Sequence, residues 1–153
     1  MDPSQLKKIP LFANLTSEHL SKVAAIATQR DCRANDKIFS EGDVGTEMFL
    51  IMKGKVRISK MVPGVGEEAL AILEPGSYFG EMALIDDTPR SADATAHLSC
   101  TLWCVQKADL EELMFLHKDL AYELLWTFVR TLSARLRDTN DKIKAFFALS
   151  ARF

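Results

Sequence analysis

The sequence predicts an α+β fold in which an antiparallel β-roll sits between helical ends, and three observations predict it. Apolar residues near the start recur at helical spacing. Between Gln29 and Gln106 they come in short runs broken by glycine-bearing turns. Beyond Lys107 the helical period returns, with no Gly or Pro to stop it. Short strands at regular spacing argue a jelly-roll-like barrel rather than a parallel sheet. The 153 residues suit one domain, 1–153, made of N-terminal helices (1–28), a β-roll (29–106) interrupted at 79–92, and C-terminal helices (107–153).

The elements follow in order. Leu6, Ile9, Leu11 and Phe12 around Pro10 suggest a short packed turn, and Leu15 to Ala27 reads as a helix capped by Thr16 or Ser17. Ile38-Phe39 precede the turn cluster Glu41 to Gly45. Met48 to Met52 is a continuous apolar run, and Lys53-Gly54-Lys55 reads as a hairpin turn. Val56, Ile58 and Lys60 share one strand face, with Arg57 and Ser59 on the other. After the loop Pro63 to Gly66 comes a strand from Glu68 to Leu73, then the turn Pro75-Gly76. Ala92 to Ala96 and Cys100 to Gln106 complete the series. Ala108 to His117 reads as a helix with Leu110, Leu113, Met114 and Leu116 inward, and a second, long helix begins near Asp119.

Composition bounds the function. With 48% hydrophobic and 26% charged residues the chain has the make-up of a globular protein. A formal net charge of −2 offers no global pull toward nucleic acid or anionic lipid. No stretch approaches a membrane span and Met1 to Pro10 has no signal-peptide core, so a cytoplasmic location is expected. Cys32, Cys100 and Cys104 suit no disulfide framework, and buried thiols in a reducing compartment explain them; no metal site is expected. His19, His97 and His117 are scattered, and the acid pairs Glu67-Glu68, Asp86-Asp87 and Glu111-Glu112 read as solvated charge. No set of residues argues an enzyme.

The stretch from Phe79 to Ala92 breaks the strand pattern and carries the chemistry. Gly80 permits a close-approach backbone, and Glu81 to Leu84 can form one helical turn with free N–H groups at its start, which favour an anion. Arg90 follows a stiffening Pro89, and Ser91 adds a hydroxyl beside its planar fork; together they suit a phosphodiester. Glu81 would repel phosphate and needs another partner, for which a ribose hydroxyl qualifies.

Phe79-Gly80-Glu81-Met82-Ala83-Leu84 and Pro89-Arg90-Ser91-Ala92 resemble the phosphate cassette of the cyclic-nucleotide-binding domain family, the catabolite activator protein and protein kinase A regulatory subunit type. Glu41-Gly42-Asp43, Gly45, Phe49, Ile51 and Gly54-Lys55-Val56 support the resemblance, which runs from about Leu11 to the end of the last helix. It implies that Glu81 accepts from the ribose 2′-hydroxyl. It also implies that Arg90 pairs with the cyclic phosphate, helped by Ser91 and by backbone N–H groups near Ala83 and Ala92. Ile58, Leu70 and Met82 match positions that pack around the nucleoside.

The last helix carries Tyr122, Leu125, Val129, Leu132, Leu136, Thr139, Ile143 and Phe146 at alternating steps of three and four, a heptad seam that wants a partner helix. A parallel homodimer is expected through Leu125, Val129, Leu132, Leu136, Thr139, Ile143 and Phe146; the alternative is a helix that packs on the barrel, a contact that Phe128, Phe147 and Leu149, outside the seam, could serve. In members of the catabolite activator protein type a Thr–Ser pair on this helix, one residue from each subunit, meets the adenine. Thr139-Asn140 stands in the matching place, and Asn140 departs from that pair. Ser91, where cGMP-selective members commonly carry Thr, favours cAMP over cGMP. The expectation is a cAMP receptor that signals occupancy to an effector protein the sequence does not name, with no DNA binding by this chain alone. The alternatives are the sensory part of a catabolite-activator-type transcription factor, or a nucleotide-free scaffold.

Overall fold

The computed structural model describes residues 2–150; the expected outer limits of the domain, Met1 and residues 151–153, lie outside the described residues. Two 3₁₀ turns, Pro3–Lys8 and Pro10–Phe12, carry Leu6, Ile9, Leu11 and Phe12 into the core. Helix α1 (Ser17–Ile26) is capped by Thr16, whose hydroxyl accepts from the His19 N–H at 3.2 Å. Strand β1 (Ala27–Cys32) follows without a loop, earlier than the expected start at Gln29, because Ala27 already pairs with Val105.

The roll consists of β2 (Lys37–Phe39), β3 (Glu47–Lys53), β4 (Val56–Val62), β5 (Gly66–Leu73), β6 (Tyr78–Phe79), β7 (Asp93–Ala96) and β8 (Cys100–Gln106), with helix α2 (Met82–Ile85) between β6 and β7. The strands form two antiparallel four-stranded sheets, ordered β1-β8-β3-β6 and β2-β7-β4-β5, rather than one closed barrel. Lys53-Gly54-Lys55 is therefore not the hairpin turn expected: β3 and β4 belong to different sheets. Gly54 makes the corner between them, where a Cβ would stand 2.2 Å from the Ser99 carbonyl oxygen.

The central strands of the first sheet, β8 and β3, are apolar on both faces, which explains the unbroken run from Met48 to Ile51. Phe49, Ile51, Leu102, Cys100 and Cys104 face the second sheet, whereas Met48, Leu50, Trp103 and Val105 face the helices. The second sheet is apolar inward only. Its outer face carries Arg57 and Ser59, both bound to Glu67, and its edge strand β5 is largely exposed.

Helix α3 (Lys107–Leu116) buries Leu110 and Leu113 with Met114 beside them. Leu116, expected inward, is exposed: it is the last residue of the helix and lies about 120° around it from Leu110. Helix α4 (Lys118–Ser150) buries Leu120, Ala121, Leu124 and Phe128 against the body; from Ser133 onward its described residues are all exposed. Phe128 makes the body contact expected of it. Phe147 and Leu149 do not, since the helix has by then run past the sheets. No described helix is long and apolar enough to cross a membrane.

Candidate functional site

Where the first sheet ends at β6, the backbone turns through Gly80 at φ +76° into α2. A Cβ there would stand 2.7 Å from Arg90 Nη1 and 3.3 Å from the Glu47 carbonyl oxygen, so the position admits only glycine. Gly45 closes the other side: a Cβ there would stand 2.4 Å from Ala83 Cβ and 3.0 Å from Arg90 Cζ. Two side-chain-free positions thus let a guanidinium lie against bare backbone.

Arg90 is held on several sides and yet lacks a counter-charge. Its N–H donates to the Asp43 carbonyl and its own carbonyl accepts from the Gly42 N–H, each at 2.8 Å. Nη1 donates to the Gly80 carbonyl at 3.0 Å and Nη2 to the Glu47 carbonyl at 2.7 Å. The Phe39 ring lies 4.2 Å from Cζ. Every one of these side-chain acceptors is neutral. Among the described residues no carboxylate lies within ion-pair distance of Arg90, and its buried Nε–H has no partner. Burial lowers the Arg90 pKa below its ordinary value, opposed by the carboxylates of Glu47, Asp43 and Glu81. A buried cation with a free N–H is built to meet an anion.

Arg90 lines a cavity of about 350 Å³. Gly80, Glu81, Met82, Ala83, Ser91 and Ala92 line it with Arg90, Thr88 and Pro89; Phe39, Ile58, Ala71, Leu73, Tyr78 and Phe79 form its apolar side. The arrangement is amphiphilic, one end for charge and one wall for an apolar ring. The site residues expected from sequence are brought together here with three exceptions. Leu70 is 60% exposed and lies outside the cavity: Ile58 pairs with Ala71 and Val56 with Leu73, so Ala71 and Leu73 form the wall, and Leu70, one residue along the strand from Ala71, faces out beside the register shift between Ile58 and Ser59. Thr139 and Asn140 are exposed on α4 and do not line the cavity within one chain.

Arg135 of α4 was missed by the sequence reading. It lines the cavity, and its Nη1 pairs with Glu81 Oε1. Glu81 is buried and Arg135 is half exposed, so the pair joins the cassette to the helix at the cavity's solvent side. The one available sequence signal was the position of Arg135 one helical turn before Thr139.

The groups set aside as structural stay apart from the cavity. Cys100 and Cys104 lie between the sheets, and burial pushes their thiols up to about 11 and about 12, so they remain protonated core residues. His19 reaches Asp119 at 3.2 Å on the helical side. Among the described residues no cluster of three or more His, Cys, Asp or Glu could hold a metal.

This geometry has known counterparts. Residues 29–117 match the Cyclic nucleotide-binding domain family, and the chain belongs to that family. It is 38% identical over 91 residues to a cyclic AMP receptor protein of Thermus thermophilus, covering 60% of this chain and 42% of that protein. It is 39% identical over 93 residues to a cGMP-dependent protein kinase of Drosophila melanogaster, covering 60% of this chain and 12% of that protein. A solved cyclic nucleotide-binding domain from Methylobacillus flagellatus superposes with a TM-score of 0.79 at 28% identity, covering 92% of this chain and 79% of that one. The chain thus spans less than half the length of these curated relatives. It is a cyclic nucleotide-binding regulatory domain with the antiparallel roll and long final helix of its relatives.

Proposed function

We propose that the chain is a cAMP receptor that dimerises through α4 and passes occupancy of its cavity to an effector protein, without catalysis of its own and in the cytoplasm. The single observation that carries the ligand reading is Arg90: a buried guanidinium, supplied only with neutral carbonyls, beside a cavity whose far wall is apolar. A cyclic phosphate provides the missing charge, and its ring and base provide apolar surface for Ile58, Ala71 and Leu73. Glu81 is suited to a ribose hydroxyl, because a carboxylate accepts and the sugar donates. The exposed seam on α4 supports the dimer: Leu125, Val129, Leu136, Ile143 and Phe146 all face solvent at heptad spacing. In a parallel pair, Thr139 and Asn140 of the two helices would supply the polar groups that one chain alone does not bring to the base.

The base choice rests on Ser91, which stands where cGMP-selective members of the family commonly carry Thr. Calorimetric titration with cAMP and cGMP tests it, with tighter cAMP binding as the expected result. Arg90→Ala should cost about 2–5 kcal/mol of binding, since it leaves a desolvated phosphate unpaired. Undiminished affinity in that variant would sink the reading. The likeness to relatives named as transcriptional regulators favours a second reading, the sensory part of such a regulator, and a DNA-binding segment in the reading frame downstream of Phe153 would select it.

A further inference from the structure

Two cations grip the cassette, one at each end of α2. Arg135 of α4 takes Glu81 at the start. Lys107, the first residue of α3, takes Asp87 just beyond the end, with Nζ 2.8 Å from Oδ1. Lys107 is not a loose surface lysine. Its side chain is only 22% exposed, its backbone N–H donates to the Thr46 carbonyl at 2.8 Å, and Glu111 lies 3.9 Å from its ammonium one turn along α3. The contact with Asp87 is the main cause that raises the Lys107 pKa, so the lysine stays charged. Asp87, by contrast, is 99% exposed, and no packing fixes it.

The same junction reaches Arg90 by a second route. The Glu47 carbonyl accepts from Arg90 Nη2, while the Glu47 carboxylate accepts from Gln106 Nε2 at 2.8 Å. Gln106 and Lys107, the last residue of β8 and the first of α3, therefore touch both the peptide that holds the anion-binding arginine and the loop that leads to it. At the start of that loop the Asp86 N–H donates to the Met82 carbonyl at 3.1 Å, and within it the Thr88 N–H and hydroxyl donate to Asp86; neither tie reaches α3.

We propose that Lys107 is a positioning residue for the nucleotide: its ion pair with Asp87 sets the loop before Arg90 and couples that loop to the first turn of α3. The inference rests on the nucleotide reading above. It adds an outward path that runs through α3, distinct from the Glu81–Arg135 contact with α4.

The test uses Lys107→Met, Asp87→Asn, their combination and Lys107→Arg, with cAMP as the titrant. Each of the first two should weaken cAMP binding roughly three- to fivefold, the range of a partly exposed ion pair, and the double variant no further. Lys107→Arg should restore binding, because it keeps the charge. In the wild type, cAMP should increase hydrogen-exchange protection of residues 107–110, and in Lys107→Met that increase should vanish. A lysine that merely supported the fold would lower the stability of the free protein and leave the ligand-dependent increment in place. Asp87→Asn, at a fully exposed position, keeps the test open if Lys107→Met folds poorly. Wild-type affinity in both single variants, or losses that add in the double, overturns the proposal and leaves the receptor reading standing. A wild-type protein with no cAMP affinity overturns both.

Discussion

The two halves of α4 have the same outer seam and opposite surroundings. From Lys118 to Leu132 the helix carries two apolar stripes. Leu120, Ala121, Leu124 and Phe128 lie against the body, and Tyr122, Leu125 and Val129 face outward. From Ser133 to Ser150 only the outward stripe continues, and every described residue is exposed. The helix is 33 residues long, about 50 Å at about 1.5 Å per residue, and the body supports less than half of it. The inner stripe ends where the sheets end. Helical periodicity therefore reports that a face is apolar, not what covers it; the second stripe, present or absent, is what separates the halves.

Substitutions on the two stripes should separate them further. Phe128→Ala removes a buried ring where the helix meets the core and should cost about 3–5 kcal/mol of folding stability, read by urea unfolding. A loss below about 1 kcal/mol would mean that the first half is docked no better than the second. Arg135→Gln stands at the border. It strips a buried carboxylate of its partner, but the arginine is half in water, so a cost of about 1 kcal/mol is expected in the same assay. Leu136→Asp, on the bare half, should change the stability of the single chain by no more than about 0.5 kcal/mol while abolishing self-association in sedimentation equilibrium. An unchanged mass distribution would separate the seam from the dimer.

Much of this architecture was readable in advance because it rests on local chemistry. The cassette was found from Gly80, Glu81 and Arg90 alone, since a close-approach glycine, a carboxylate and an arginine behind a proline carry their reason for being there in their own types. The seam was found because its spacing repeats. What escaped depends on partners distant in sequence. Leu70 was placed on the nucleoside wall by the family resemblance; which face of its strand turns inward is set by the pairing of Ala71 with Ile58, a register that a matched position does not reveal. Gly54 was taken for a hairpin because a glycine turn between strands looks the same whether the chain folds back or crosses to another sheet. Arg135 was passed over because its meaning lies in Glu81, 54 positions earlier. Phe147 and Leu149 were offered contacts that the body does not extend far enough to make.

Tyr78 belongs to both sides of the first sheet's end. Its ring is part of the cavity lining and also of the helix-facing cluster, and its hydroxyl lies 3.4 Å from that of Thr131 on α4. The floor on which a guest would rest is thus also the bearing on which the helix sits, one aromatic ring thick. In a close-packed interior such a partition has no slack, so pressure on one surface is felt on the other without any intermediary.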